Sequence, residues 1–489
     1  MTVKNKVQLI TYPDSLGGDL RTLNRVMLDF FPDLFQGGVH ILPPFPSSGD
    51  RGFAPLSYFE IDPKFGSWDE IRAISSHADV LLDLMVNHVS KESPYFQDFL
   101  KHGRSSQYAD MFLTIDKIWE DSVPKEEDIA KIFLRRKVPY SEFVISDTGK
   151  TETVWTTFGK QNPSEQIDVD LSSDTVKKLF VDVLEKFSKN GVRIVRLDAI
   201  GYIIKKMGTS CFFVEPEIYS FIDWINGVAS SLGLELLPEV HAHHSIQFKL
   251  SNHGCWIYDF ILPYLVLDAM VNRYSRKLAE YLGSRPKRQF TMLDCHDGIP
   301  VKPDMDGLVK TDDARKLVEH CMKMGANLSL IFSDKHKDPD GFDVHQIRCT
   351  YYSALGCDDD AYIAARAIQL FTPGIPQIYY VGLLAGENDY EGVEASKEGR
   401  EINRHNFTID EISQCMGKPV VQRLIKLIRF RNEHPAFEGK FSVFSPSEKE
   451  IKLSWNNGGD FCSVLVNMSD YSSQVECSSV GSIKKSFKA

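Results

Sequence analysis

Over most of its length the chain alternates between short apolar runs and longer amphipathic stretches. Runs at 7–12, 38–42, 80–86, 192–197, 235–240, 256–260, 290–293 and 375–380 are rich in Val, Ile, Leu or aromatic residues, as strands buried on both faces are. Between several of them apolar residues recur at helical spacing. The stretch 176–190 ends in Asn190-Gly191, a helix stop signal, and 218–232 and 315–328 read the same way. Strands interleaved with helices predict an α/β chain folded as a (β/α)8 TIM barrel. Beyond a helix over 420–437 the apolar period shortens to two, at 441–444, 451–455 and 461–467. That predicts a small C-terminal antiparallel β domain.

Two connections exceed the few residues that usually join strand to helix. They run to about a hundred residues after the third strand and roughly eighty after the seventh. The expected division is a barrel over 1–90, 169–295 and 357–435, an insertion over 91–168, a second insertion over 296–356, and a C-terminal β domain over 436–489. Both insertions leave the C-terminal ends of strands, the face on which such barrels keep their catalytic groups.

Composition excludes several classes. Of the 489 residues, 43% are apolar and 25% charged, which is globular, and no apolar run is long enough to span a membrane. With 67 acidic and 56 basic side chains the net charge is −11, which weighs against nucleic acid as the main partner and makes any anion site a local patch. The N-terminal Met-Thr-Val-Lys-Asn-Lys enters a strand without a secretory apolar stretch, so a cytoplasmic location is expected. The nine cysteines contain no CxxC pair and fit a reducing compartment.

Four predicted strands end in ionisable groups: Asp83-Leu-Met-Val-Asn87-His88, Arg193-Ile-Val-Arg196-Leu-Asp198, Leu237-Pro238-Glu239-Val240-His241 and Leu293-Asp294-Cys295-His296-Asp297. An apolar-rich strand tolerates an acid poorly unless it is paired or serves a site. Barrel mouths collect polar residues anyway, but that accounts for one such ending better than for four. Paired carboxylates suit glycosyl transfer, one attacking the anomeric carbon and the other protonating the leaving oxygen. Arg196, two residues before Asp198, shares its strand face and keeps that carboxylate ionised, as a nucleophile requires. Glu239, between Pro238 and Val240, is expected in a less charged setting that raises its pKa, as a general acid requires.

In this order the four segments resemble the four sequence signatures of the α-amylase superfamily. Finer features resemble its sucrose phosphorylase subfamily: Pro43-Pro44-Phe45-Pro46-Ser47-Ser48-Gly49-Asp50-Arg51-Gly52-Phe53, Arg196-Leu-Asp-Ala-Ile-Gly-Tyr202, His296-Asp297-Gly298-Ile299 and Gly399-Arg400-Glu401-Ile402-Asn403-Arg404-His405. The resemblance spans nearly the full length. It implies Asp198 as nucleophile, Glu239 as acid/base and Asp297 as transition-state stabiliser. It also implies glucosyl contacts from Asp50, His88, Arg196, His296 and Arg400, apolar walls from Phe53 and Phe158, and double displacement with retention. That phosphate rather than water accepts the glucosyl group rests on the resemblance alone.

The acceptor-side loop departs from the subfamily. Where Asp-Leu-Tyr-Gln is usual, this chain has Asp343-Val344-His345-Gln346, followed by Ile347-Arg348 and preceded by the charged stretch 333–340. The other insertion carries Leu134-Arg135-Arg136-Lys137, of which the subfamily accounts for one Arg. Arg grips phosphate bidentately, Lys binds it as a point charge, and His adds a hydrogen bond. The expected substrate is therefore sucrose 6'-phosphate, cleaved by inorganic phosphate to α-glucose 1-phosphate and fructose 6-phosphate. Arg135 and His345 are the first choices for the phosphate, then Lys137, with either Arg135 or Arg136 pointing inward; His241, Asp343 and Gln346 complete the acceptor side. Plain sucrose, glucosylglycerate and hydrolysis stand as alternatives in that order.

No cofactor is expected, since no nucleotide-binding glycine motif is present. No metal is expected either. His241-Ala-His243-His244 lacks the partners of a catalytic zinc. Asn87, at a position used for calcium in many amylases, is one ligand where calcium takes 6–8. Asp358-Asp-Asp360 reads as a helix start. The expected partners are small molecules, with no nucleic acid or membrane, and the chain is expected to act as a monomer or homodimer.

Overall fold

The computed structural model describes residues 3–119, 121–331, 341–479 and 485–489. Its principal strands are β1 (Gln8–Thr11), β2 (Gly38–Ile41), β3 (Val80–Met85), β4 (Val192–Asp198), β5 (Glu235–Pro238), β6 (Ile257–Asp259), β7 (Gln289–Thr291) and β8 (Ile375–Tyr379). Helices α1 (Leu20–Asp29), α2 (Trp68–Ser75), α3 (Asp174–Lys189), α4 (Glu217–Ser231), α5 (His244–Asn252), α6 (Arg276–Ser284), α7 (Asp359–Phe371) and α8 (Pro419–Glu433) alternate with them. The strands form one sheet in the order β6-β7-β8-β1-β2-β3-β4-β5. Except between β5 and β6, the two ends of the sheet, each strand lies beside its sequence neighbour and the last beside the first, the strand order of a nearly closed (β/α)8 barrel. Among the described residues no helix is long and apolar enough to cross a membrane.

Two compact units partition the chain, one over Ile41–Val240 with the described ends of Ile331–Asp343, the other over Thr2–His40, His241–Leu330 and Val344–Ala489. In the first, β3, β4 and β5 pair in parallel, with Asp83 opposite Arg196 and Met85 opposite Asp198. Helix α3 shows why the amphipathic stretches fold as they do. Ser173 caps its first turn, Val176, Leu179, Phe180, Val183, Leu184 and Phe187 form its buried stripe, and Lys186 and Lys189 sit at its negative end. Past its C-cap, Gly191 takes φ +83, and a Cβ there would lie 2.3 Å from the Ser75 hydroxyl. Between β3 and α3 the chain leaves through His88–Ser90 and returns through Gln166–Asp168, paired antiparallel. Helix Pro94–His102 and the hairpin Tyr140–Val144/Thr151–Trp155 lie between.

In the second unit the connection after β7 holds Ile299–Pro300, helix Thr311–Lys323, Asn327–Leu330 and Val344–Arg348. The three short strands form one antiparallel sheet. The helical reading of 315–328 is thus corrected: Gly325, at φ +86, follows the helix, and 327–330 pair as a strand. Helix α8 stops at Glu433, before Pro435, rather than running to 437. Asp358 caps α7, accepting from the Ala361 amide. The C-terminal strands β9 (Lys440–Ser447), β10 (Glu450–Asn457), β11 (Asp460–Asn467), β12 (Ser473–Ser478) and β13 (Lys485–Lys488) form an antiparallel meander. The Trp455 indole N–H donates to the Phe371 carbonyl at 2.7 Å and docks this sheet on α7.

Candidate active site

In the first unit the site is organised around one guanidinium. Arg196 is 3% exposed and its Nη1 is shared between Asp83, which is fully buried, and Asp198 Oδ1 at 3.0 Å. Its Nη2 lies 3.1 Å from Glu239 Oε1. The expectation of a less charged setting for Glu239 is corrected here: one cation bridges both carboxylates. Strand β5 ends at Pro238, so Glu239 lies just beyond the ladder, its amide still donating to the Leu197 carbonyl at 3.0 Å. Ala199 adopts the left-handed conformation, φ 55°, which aims its amide at Glu239 Oε2, 3.2 Å away. That contact is invisible in the sequence, because an alanine carries no signal for it.

The loop after β2 turns through positive φ at Asp50, Arg51 and Gly52. Gly52 has no alternative, since a Cβ there would meet the Pro43 carbonyl at 2.5 Å. The turn presents the Phe53 carbonyl to His88 Nε2 at 2.9 Å and lays the Phe53 ring 5.6 Å from the Arg196 guanidinium. A carbonyl only accepts, so Nε2 carries the proton. Burial pushes the His88 imidazole down, against the raising effect of the Phe53 carbonyl, and favours its neutral form. The His88 and Phe158 rings lie 5.5 Å apart.

The three consecutive cations of this unit separate in role. Arg136 donates to Ser141 Oγ at 3.2 Å, Thr156 Oγ1 at 3.1 Å, the Phe158 carbonyl at 3.4 Å and the Gln161 carbonyl at 3.0 Å. It props the hairpin and the Phe158 loop. Arg135 and Arg136 are both half-buried and line one small pocket with Phe133, Trp155 and Tyr202, whereas Lys137 is exposed.

In the second unit Asp297 lies beyond β7, between Thr291 and the short strand Ile299–Pro300. Its Oδ1 is 3.6 Å from Arg400 Nη1 and its Oδ2 is 3.7 Å from His296 Nε2. Burial alone would raise its carboxyl, but the positive charge of Arg400, His296, His241 and Arg404 outweighs burial and holds it well below the usual carboxylate range. Asn403 and Arg404, neither chosen from sequence, brace this loop. Asn403 Nδ2 donates to the Cys295 carbonyl at 2.9 Å and Arg404 Nε to the His296 carbonyl at 3.0 Å. Asp294, by contrast, pairs at 2.6 Å with the buried Arg366 and belongs to the interior.

On the acceptor side of this unit His241 stacks on Phe260, ring centroids 3.9 Å apart, with Nδ1 3.7 Å from the buried Asp304. His345, 2% exposed, has its ring 6.4 Å from that of His241. Its Nδ1 donates to the Lys302 carbonyl at 2.6 Å, since a carbonyl only accepts. Gln346 is buried on the same strand, paired with Pro300 and Ser329. Arg348 sits beside Gly399, whose carbonyl accepts from Asn327 Nδ2 at 2.9 Å. Asp343, which belongs to the first unit, is half-buried, and its carbonyl accepts from the Ile331 amide at 2.8 Å. The charged stretch 333–340 lies outside the described residues.

The α-amylase catalytic-domain family matches residues 8–239. Sucrose 6(F)-phosphate phosphorylase of Thermoanaerobacterium thermosaccharolyticum is 61% identical over 97% of both chains. Glucosylglycerol phosphorylase of Marinobacter adhaerens is 44% identical over 96% of this chain and 95% of its own. Among solved structures, the crystal structure of sucrose 6F-phosphate phosphorylase from Thermoanaerobacter thermosaccharolyticum superposes with a TM-score of 0.98 at 60% identity, covering 100% of this chain and 99% of that one. With its (β/α)8 strand order and its Arg196-bridged carboxylates, this chain belongs to the α-amylase family, within the sucrose phosphorylase subfamily.

Proposed function

We propose that the protein is a retaining hexosyltransferase that phosphorolyses sucrose 6'-phosphate. In the first half-reaction Asp198 attacks glucose C1 while Glu239 gives its proton to the departing fructosyl oxygen. Fructose 6-phosphate leaves and a β-glucosyl ester remains on Asp198. Inorganic phosphate then attacks C1, Glu239 takes the proton back, and α-glucose 1-phosphate departs with net retention. The Arg196 bridge supports the pairing of nucleophile and acid/base. Asp297, kept ionised by its cationic neighbours, stabilises the positive charge that develops at C1. Asp50, Phe53, His88, Phe158, Arg196, His296 and Arg400 are assigned to the glucosyl ring. Arg135 and His345 are assigned to the fructosyl phosphate, and His241, Asp343 and Gln346 to the acceptor. Arg136 is reassigned to holding the Phe158 loop, and the exposed Lys137 to a secondary electrostatic role. The segments 91–168 and 296–356 are read as the insertions that carry these acceptor residues, His241 excepted, which follows β5.

The observation that carries the phosphorylated substrate is His345. A buried imidazole stands where the subfamily usually has Tyr, held through Nδ1 by the Lys302 carbonyl beside the His241 ring, and a histidine can donate a hydrogen bond to a phosphate oxygen. The sucrose 6(F)-phosphate phosphorylase relative supports the same substrate. The test is release of glucose 1-phosphate in phosphate buffer from sucrose 6'-phosphate and from sucrose at equal low concentration. A large preference for the phosphorylated sugar is expected. A preference for sucrose refutes the phosphate assignment and keeps the mechanism; release from neither refutes both.

A further inference from the structure

Seven residues past Asp198 the loop after β4 turns Lys205 back into the protein. Its side chain is 2% exposed, and its ammonium donates to Asn87 Oδ1 at 2.6 Å and pairs with Asp168 Oδ2 at 2.7 Å. Asp168, fully buried, also accepts from Asn87 Nδ2 at 3.0 Å, from the Thr157 amide at 2.7 Å and from the Thr157 hydroxyl at 2.5 Å. Asn87 and Thr157 each immediately precede a residue assigned to the glucosyl ring, His88 and Phe158. Asn87 Nδ2 faces His88 Nδ1 at 3.5 Å, on the opposite side of the imidazole from the Phe53 carbonyl.

One cation thus ties three chain segments together: the end of β3, the return of the long β3 connection, and the loop that follows the nucleophile. A buried carboxylate holds four hydrogen-bond donors in place only while its charge is balanced. Among the described residues that donate to Asp168, Lys205 alone supplies positive charge. Without it Asp168 must draw in water or reorganise, and Asn87-His88 and Thr157-Phe158 move with it. We propose that Lys205 is a positioning residue for the glucosyl subsite, its ammonium fixing the His88 imidazole and the Phe158 wall at once through Asn87 and Asp168. The proposal rests on the reading that those two side chains hold the glucosyl ring. The ring is common to every donor, so the effect of Lys205 falls on all donors alike and leaves the choice between phosphorylated and plain sucrose untouched.

The experiment is Lys205→Ala in the full chain, read as kcat/KM for glucose 1-phosphate release from sucrose 6'-phosphate and from sucrose, in sodium chloride and in equimolar ethylammonium chloride. The expected result is a loss of roughly 100-fold, the scale of a misplaced binding group. The loss should be equal on both donors, and ethylammonium entering the vacated space should restore about tenfold in a saturable way. Lys206→Ala, at the exposed neighbour paired with Glu217, should behave as the parent. The proposal is overturned by activity within about threefold of the parent, by unequal loss on the two donors, or by a folded variant that ethylammonium does not rescue. Should the Ala variant not fold, Lys205→Gln is judged by the same equality of loss. His88→Ala separates the two layers of the argument. A loss there with Lys205→Ala intact refutes the positioning role, whereas no loss in His88→Ala refutes the glucosyl assignment itself.

Discussion

Arg135 and Arg136 are adjacent in sequence and carry the same charge, yet the structure predicts opposite phenotypes for their removal. In Arg136→Ala, four acceptors lose a donor, but most keep another. Ser141 Oγ and Thr156 Oγ1 lie 3.1 Å from each other, and the Phe158 carbonyl also accepts from Ser164 Oγ at 2.8 Å. The cost is therefore at the low end for a set of charged hydrogen bonds, about 1–2 kcal/mol of stability. Its kinetic effect passes through the Phe158 loop, so it lowers kcat/KM on sucrose 6'-phosphate and on sucrose by the same factor. In Arg135→Ala the proposed contact with the substrate phosphate is lost. A charge-assisted bidentate pair is worth about 1.5–3 kcal/mol, which at 1.4 kcal/mol per factor of ten is roughly 10- to 150-fold, confined to the phosphorylated donor. The assay is the ratio of initial rates of glucose 1-phosphate release from the two donors, each well below KM. Arg135→Ala should collapse the ratio, while Arg136→Ala should leave it within about threefold of the parent and lower the melting temperature. A collapsed ratio in Arg136→Ala with an unchanged ratio in Arg135→Ala would refute the reasoning, because the hairpin hydrogen bonds would then not be the use to which Arg136 is put.

Other perturbations follow from the same geometry. His345→Tyr, which restores the usual subfamily residue, should cut the preference for sucrose 6'-phosphate by roughly tenfold or more while sparing sucrose; a matched loss on both donors would contradict the assignment. Asp297→Asn should lower kcat by about 10²–10³-fold across the whole pH range, because the carboxylate it replaces is held well below the usual range and stays ionised throughout. A wild-type acid limb that disappears in this variant would show instead that Asp297 titrates during turnover. His405 donates from both ring nitrogens, to Asp389 at 2.9 Å and Glu411 at 3.1 Å. Burial alone would lower its pKa, but these two carboxylates raise it. Its contribution to stability is then fully present below the unfolded value of about 6.5 and is lost as pH rises through the raised folded value. Melting temperatures of the parent and Asp389→Asn should differ at pH 6 and converge toward pH 9; a gap that does not change with pH would sink this account.

The barrel was legible because its information is local. Strands buried on both faces must be apolar, helices between them must be striped, and a cap such as Ser173 or a stop such as Asn190-Gly191 marks each end. The C-terminal meander announced itself through its change of period. Where the reading erred, the deciding group lay elsewhere in the chain. Residues 327–330 carry apolar residues that fit a helix, but Gly325 and pairing to Val344–Arg348 make them a strand. Glu239 sits between proline and valine, which reads as an apolar setting, yet its partner is a guanidinium from a neighbouring strand, 43 positions earlier. The same limit governs the site. Asp198, Glu239 and Asp297 stand in motifs, so their types and spacing can be recognised. Ala199 and Arg404, inside motifs, and Lys205 and Asp168, outside them, support the site through a left-handed amide, a hydrogen bond to a loop carbonyl, a buried ammonium and a four-donor carboxylate. None of these acts by its own chemistry on substrate. Each works only through a distance to a partner tens or hundreds of residues away, which a linear pattern does not encode. Choosing between Arg135 and Arg136 is the same problem at its smallest: two identical side chains, one position apart, told apart by the acceptors that the hairpin brings to Arg136.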